Sequence, residues 1–524
     1  MIEQAKFLLS RRAFLNATMA AAGTMAVPHI LSGAAQAQSV KELIWAKPLE
    51  TTQLDPHTSI LGSSWQVLHL VYSSLVDVDG DLRPIPALAE SWAEESPTSY
   101  LFNLRQGLKF SDGSEVTIDD VVGSIMRVRD PATGSFWQRP IGPISKCEAV
   151  GDRGIRITLE HPHAPLLPAL AATMASILPM SKLKDGSFDP SKAMLGTGPF
   201  MVTEHVQDDH WVLERNPHYW EEGLPHIDRI SVRIVPNDNA RIAMLSDGSV
   251  DIASFEASPD APLLLQNVPG IDVTVETSTN YYMMALNAVS ETSPFVSAPL
   301  RKAVALSLDR EQIKNIALGG VGDPTAVMAP AFKACDTSAL PNFTRDLNRA
   351  KALVAEAGAE GKSFELLVRN IPADVQMAQV IKQGVSEIGL DATISVVDEG
   401  IWVKRAWVDN PSQFEAMISW YAGYADPAIS TLWWNPVLAG FTAGHVKADP
   451  EIDRLIDAAY QTVGGDRAAI LQQLCAAIDE SANMIPLVTR QDTIAVRTGR
   501  VTGLTKQTEG YVHTLRGIEK AELK

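Results

Sequence analysis

An α/β architecture with more than one lobe is what this sequence predicts, and three observations carry that expectation. At 524 residues the chain far exceeds one hydrophobic core, so two or three lobes are expected. Its first half places apolar residues at every second position in short runs, as at Tyr100, Phe102 and Leu104 or at Ile230, Val232 and Ile234. That period of two is the mark of half-buried strands. Its second half alternates helical patterns with strands, the arrangement of a lobe built on a mainly parallel sheet.

Composition narrows the partners. Hydrophobic residues make up 46% and charged residues 20% of the chain, ordinary values for a soluble globular protein. The formal net charge of −18 argues against nucleic acid or an anionic membrane as partner. No apolar run is long enough to span a bilayer. At the N-terminus, Ser10-Arg11-Arg12-Ala13-Phe14-Leu15 precedes a mild Ala-rich segment, and Ala35-Gln36-Ala37 has the small-x-small form of a cleavage site. Residues 1–37 therefore read as a twin-arginine signal peptide. Without a Cys at the cleavage site, a free periplasmic protein with no direct membrane anchor is expected.

The elements follow in order. Lys41–Lys47 reads as a strand, Asp55-Pro56-His57 as a turn, and Gly62-Ser63-Ser64-Trp65 leads into an apolar stretch through Val71 and Tyr72. Thr117-Ile118-Asp119-Asp120 is a capping box ahead of Val121, Val122, Ile125 and Val128 at helical spacing. A helix carrying Ala240, Ala243 and Leu245 stops at Asp247-Gly248, and Ile271, Val273 and Val275 make a strand. Helices are expected over Leu300–Leu308, Asp346–Ala357, Asp374–Ile388, Glu451–Tyr460 and Asp466–Ser481, with strands Phe364–Val368 and Ala392–Val397 between them. Ile494–Val496 returns to strand, so the chain end can rejoin the first lobe.

The three cysteines, Cys147, Cys335 and Cys475, have neither CxxC spacing nor His partners. Neither a metal site nor a disulfide framework is indicated. Cys475 lies on the apolar face of Ile470, Leu471, Leu474 and Ile478 and reads as a core thiol, while a Cys147–Cys335 bridge is possible but not favoured. His161 and His163, between prolines, read as loop rather than metal site.

The densest concentration of binding chemistry is Trp420-Tyr421-Ala422-Gly423-Tyr424-Ala425-Asp426-Pro427, followed by Trp433-Trp434. Aromatic faces offer apolar contact at low entropy cost, and one acid among them could hold a cation. The rival reading is a packed loop in which Asp426 opens a turn. Of Trp433 and Trp434, one is expected in the core and one near a cleft.

Eight motifs in order then resemble one family. They include Leu88-Ala89-Glu90-Ser91-Trp92, Gly107-Leu108-Lys109-Phe110-Ser111-Asp112-Gly113, Gly196-Thr197-Gly198-Pro199-Phe200, Arg215-Asn216-Pro217 and Ile485-Pro486-Leu487. The chain resembles the extracytoplasmic solute-binding proteins of the dipeptide, oligopeptide and nickel class, which serve ABC importers. That resemblance implies a two-lobed, periplasmic-binding-protein-like α/β fold with the ligand cleft between the lobes. Lobe one would cover 38–287, with a small extra subdomain at about 85–190, lobe two 288–487, and 488–524 would return to lobe one. The crossings near Tyr282–Asn287 and Pro486–Thr489 would be the hinge.

By the same resemblance, Asp426 matches the acid that meets a peptide ammonium, and Arg369 falls near an Arg that holds a carboxylate. Ser64 and Trp65 lie on a loop that reaches the ligand from lobe one, and Trp420, Tyr421 and Tyr424 would wall the pocket. The implied function is periplasmic capture of a small solute, foremost a short peptide, for delivery to the permease subunits. The implied state is a monomer without a cofactor or metal. The alternative is the same receptor for an opine, a nickel chelate or an oligosaccharide, since a fold does not fix its ligand. A periplasmic hydrolase is disfavoured, because the chain holds no GxSxG, HExxH, P-loop or GxGxxG.

Overall fold

Two large sheets organise the chain, and each gathers strands from distant parts of the sequence. The computed structural model describes residues 40–524 apart from 257, 259, 276–277, 505–514 and 516. The signal-peptide reading therefore lies outside the described residues. The first sheet has seven strands in the order Ile271–Val275, Thr493–Arg497, Ile252–Phe255, Glu42–Lys47, Arg229–Ile234, His210–Arg215 and Phe200–Val206. Glu42–Lys47 at its centre runs parallel to both neighbours, and the remaining pairings are antiparallel.

The second sheet has five strands in the order Asp391–Val397, Ser363–Arg369, Ala416–Tyr421, Tyr281–Leu286 and Met484–Thr489. Its first two pairings are parallel and its last two antiparallel. It is thus a mixed sheet rather than a mainly parallel one, because the strand arriving from the first sheet enters in the opposite direction. A separate four-stranded antiparallel sheet, Ala89–Ser96, Ser99–Leu104, Gly154–Leu159 and Ile144–Val150, forms within the span expected for an extra subdomain.

Local chemistry explains the helix ends. Thr117 accepts from Asp120 N, and the Asp120 carboxylate accepts from Thr117 N, closing a full capping box on Ile118–Arg129. Gly248, at φ 86°, ends the helix Asp238–Asp247 in the left-handed conformation that glycine adopts without a Cβ penalty. Helix Pro372–Ser386 packs on the second sheet through Met377, Ile381 and Val385, and helix Leu347–Glu356 packs on helix Ala298–Ser307 through Ala350 and Val354, all buried.

The sheets exchange chain twice. Ile271–Val275 belongs to the first sheet and Tyr281–Leu286 to the second, so the first crossing lies between them. Met484–Thr489 belongs to the second and Thr493–Arg497 to the first, which puts the other crossing at 490–492. Each crossing sits a few residues away from the expected position. Every residue of Tyr281–Leu286 and Met484–Thr489 is buried, so both stretches are interior strands rather than connections.

A correction concerns the cysteines. Cys335 and Cys475 form a disulfide with Cα atoms 6.0 Å apart, although they stand 140 residues apart in sequence. The segment around Cys335 is laid on the helix Arg467–Ser481 by Gln472 Oε1, which accepts from Asp336 N at 2.6 Å. Asp479 holds the same segment by accepting from Asn342 N at 2.8 Å. Cys475 is therefore a bridged residue on a core face, and the Cys147–Cys335 pairing does not occur. Cys147 keeps a free thiol that burial pushes up to about 12, which leaves it unreactive. Cys335→Ser is expected to cost about 2–4 kcal/mol of stability. Urea denaturation with and without reductant checks this, because reductant should destabilise the natural chain and leave the variant unchanged.

Candidate ligand-binding site

The candidate site lies where the two crossings meet. Arg490 N donates to Asn280 O at 2.8 Å, tying one crossing to the other. Gly423 N donates to Asn280 Oδ1 at 2.8 Å. A Cβ on Gly423 would lie 2.1 Å from Thr279 O, so only glycine lets the aromatic segment lie against the crossing. The loop after Ala416–Tyr421 is thereby fixed to the point where the chain passes between sheets.

Charged groups converge there from both sheets. Arg490 stacks on Trp420, with its guanidinium carbon 4.0 Å from the ring centroid. Its Nη2 donates to Glu256 Oε2 at 3.1 Å and lies 3.3 Å from Asp492 Oδ1. Burial opposes the charge on Arg490, but the carboxylates of Asp492 and Glu256 overcome it and hold the guanidinium firmly protonated. Gln66 Nε2 donates to the other oxygen of Glu256 at 3.4 Å. Lys47 ends the central strand of the first sheet, donating to Ser63 O and to Thr51 Oγ1. Complete burial pushes its ammonium down to about 8, against the pull of Glu256 and Glu50.

The residues singled out from sequence fall into three groups. Trp420 is at the crossing, half-buried beneath Arg490. A chain of rings then joins the two halves of the molecule. Trp65 stacks with Phe136 at 6.3 Å, Phe136 meets Trp137 at 5.7 Å, and Trp137 meets Tyr424 at 4.7 Å. From Tyr424 the rings continue to Trp433 at 6.5 Å and from Trp433 to Tyr421 at 5.6 Å. Trp65, Tyr421 and Tyr424 are thus brought together, but as buried rings. Tyr421 also donates from its hydroxyl to Met484 Sδ at 3.5 Å. Ser64 is buried too, with its Oγ accepting from Gln53 N at 3.0 Å.

The two charged candidates are answered inside the chain. Arg467 Nη1 and Nη2 donate to Asp426 Oδ2 and Oδ1, each at 2.7 Å, and Ala428 N donates to Oδ1 at 2.9 Å. Asp426 thus caps its turn and holds a bidentate ion pair while only 5% exposed. Arg369 donates from Nε and Nη2 to Asp374 at 2.8 and 3.2 Å. Burial pushes the Asp374 carboxyl up, and the Arg369 charge opposes that shift. Sequence reasoning placed both residues as open charges because their partners, Arg467 and Asp374, carried no motif.

Trp433 and Trp434 do not divide as expected, since both are buried. Sequence reasoning also missed Arg490, Glu256, Gln66 and Lys47. Of these only Lys47, a cation closing an apolar strand, left a local trace. Among the described residues no group of three His, Cys, Asp or Glu side chains is placed to hold a metal ion.

Residues 83–437, well over half of the chain, match the family model of bacterial extracellular solute-binding proteins, family 5. The chain belongs to this family. It is the solute-binding component of an ABC importer, a transport receptor and not an enzyme. The glutathione-binding protein GsiB of Escherichia coli strain K12 is 27% identical over 414 residues, covering 76% of this receptor and 80% of GsiB. Solved structures agree on the two-lobed fold. AgaA from A. tumefaciens R10, in complex with agropinic acid, matches with a TM-score of 0.81 at 23% identity, covering 92% of this chain and 99% of that one. DppA from Helicobacter pylori, in complex with the peptide STSA, matches at 0.80 and 23%, covering 92% and 98%. Among the described residues of the receptor, no helix is long and apolar enough to cross a membrane.

Proposed function

We propose that the receptor captures a short peptide, closing its lobes on the solute at the crossing of the sheets. The observation that carries this reading is the crossing itself. Two hydrogen-bonded connections sit beside one aromatic face, three buried polar side chains, Lys47, Gln66 and Arg490, and the half-buried Glu256. Two relatives lend weight, since GsiB is a glutathione-binding protein and DppA holds a peptide. Charged, uncharged and aromatic groups side by side suit a solute with both polar and apolar parts.

The hinge of this reading is Ser278–Asn280 with Arg490–Asp492, a choice supported by the change of sheet at both segments. On that division lobe one runs from Lys41 to the first hinge segment and resumes after the second. Lobe two lies between, and the small antiparallel sheet is an appendage of lobe one. Ser10–Leu15 and Ala35-Gln36-Ala37 support export by the twin-arginine route to the periplasm, where the Cys335–Cys475 bridge suits an oxidising compartment. The receptor works as a monomer without a membrane anchor.

A thermal-shift panel of glutathione, dipeptides, tripeptides, opines and sugars tests the solute class. A true ligand at about 100 times its Kd adds ~2.7 kcal/mol of stability. A peptide should give that shift. A panel in which only an opine or a sugar does so would replace this reading.

A further inference from the structure

Three polar atoms at the crossing lack a hydrogen-bond partner: Nε and Nη1 of Arg490 and Oε1 of Gln66. Both side chains are at least nine-tenths buried, Arg490 at 4% and Gln66 at 3% exposure. Buried donors and acceptors left unmade are rare, because desolvation is not offset by a new bond. Orphans on two residues that share one neighbour are rarer still. Gln66 and Arg490 flank Glu256, each donating to a different carboxylate oxygen.

Position and charge say what would answer them. Lys47 and Glu256 stand at the carboxyl ends of two parallel strands, where ligands sit in open α/β sheets. Lys47 and Arg490 bring two positive charges, and Glu256 and Asp492 bring two negative ones. The cluster is balanced, so the orphan atoms do not call for an ion. They call for a neutral group that accepts from Arg490 and donates to Gln66, and a secondary amide has that pattern in one planar unit. The Trp420 stack holds the guanidinium fork in one orientation.

We propose that Gln66 and Arg490 form an amide subsite of the solute cleft. The solute C=O accepts from Arg490, and its N–H donates to Gln66 Oε1. Such a subsite reads the peptide backbone and leaves side chains free to vary. It rests on the reading of the solute as a short peptide.

Calorimetric titration of the exported, full-length mature receptor tests it with four probes. These are dialanine, its ester isostere alanyl-lactate, N-acetylglucosamine as an amide that is not a peptide, and octopine as an opine without an amide. The natural receptor should bind dialanine about tenfold more tightly than the ester. Gln66→Met should erase that difference, and Arg490→Gln should weaken dialanine about a hundredfold. Arg490→Lys keeps the charge without the fork. It should fall between, which preserves the test if Arg490→Gln does not fold. Dialanine binding with an amide-over-ester preference unchanged in Gln66→Met overturns the subsite and spares the peptide reading. N-acetylglucosamine binding that depends on Gln66, without peptide binding, overturns the peptide reading and upholds the subsite. Octopine binding alone overturns both.

Discussion

Asp426→Ala is expected to lose about 3 kcal/mol of folding stability, because it strands a half-buried Arg467 guanidinium without its buried carboxylate partner. Asp426 also accepts from Ala428 N, so the turn before Ile429–Trp434 loosens at the same time. The double variant Asp426→Ala/Arg467→Met removes both charges and should recover most of the loss, a coupling that a double-mutant cycle measures directly. Peptide titration of the same proteins separates two roles for the acid. An intramolecular role returns affinity to within a few-fold of the natural receptor once stability returns. A double variant that is stable and still cannot bind peptide would show Asp426 touching the solute.

Acidification is the second large effect. His57, His163 and His445 are all buried as neutral rings. Burial pushes His57 and His163 down to about 4 and His445 down to about 3. His57 faces Arg127 and Asp55. His163 faces Asp426, His161 and Arg139. His445 shares a hydrogen bond with Ser412 and packs against Phe414. All three sit below the ordinary value of about 6.5, so the unfolded chain binds more protons than the folded one between pH 6.5 and about 4. The stability they contribute is present above pH 6.5 and is lost as pH falls through that window. Each ring accounts for roughly 3 kcal/mol at the bottom of it, at ~1.4 kcal/mol per pH unit. Asp374 works in the opposite direction, because its carboxyl is raised by burial. Urea midpoints should therefore fall steeply from pH 7 to pH 4.5, and His445→Asn should flatten the slope. A midpoint that stays level across that range would contradict the assignment of neutral buried rings.

What the sequence revealed follows from the range over which each signal acts. The capping box at Thr117–Asp120 and the stop at Asp247-Gly248 are local, so both helix ends were legible. Strands with one wet face, such as Ser99–Leu104, announced themselves by alternation. Met484–Thr489 did not, because a strand buried on both faces has no alternation to show. That loss displaced the second expected crossing, which lies at 490–492.

The site itself was half legible. Trp420 drew notice because aromatic density is visible in a row of letters. Arg490 was not, since its partner Glu256 lies 234 positions away and only the return of the chain to the first sheet brings them together. Asp426 drew notice for its aromatic neighbours, yet its partner Arg467 sits 41 residues on, at the start of a helix with no motif. Long-range pairing also explains the Cys335–Cys475 bridge. Sequence spacing shows which groups are present, and the fold decides which of them already have partners.

The central claim is reversible capture of an intact short peptide between two lobes. Native mass spectrometry of the gently purified mature receptor, before and after incubation with a dipeptide and tripeptide mixture, tests it most directly. One peptide per chain is expected, recovered chemically unchanged when the protein is denatured. A receptor that carries only a non-peptide solute, or that returns cleaved peptide, would contradict it.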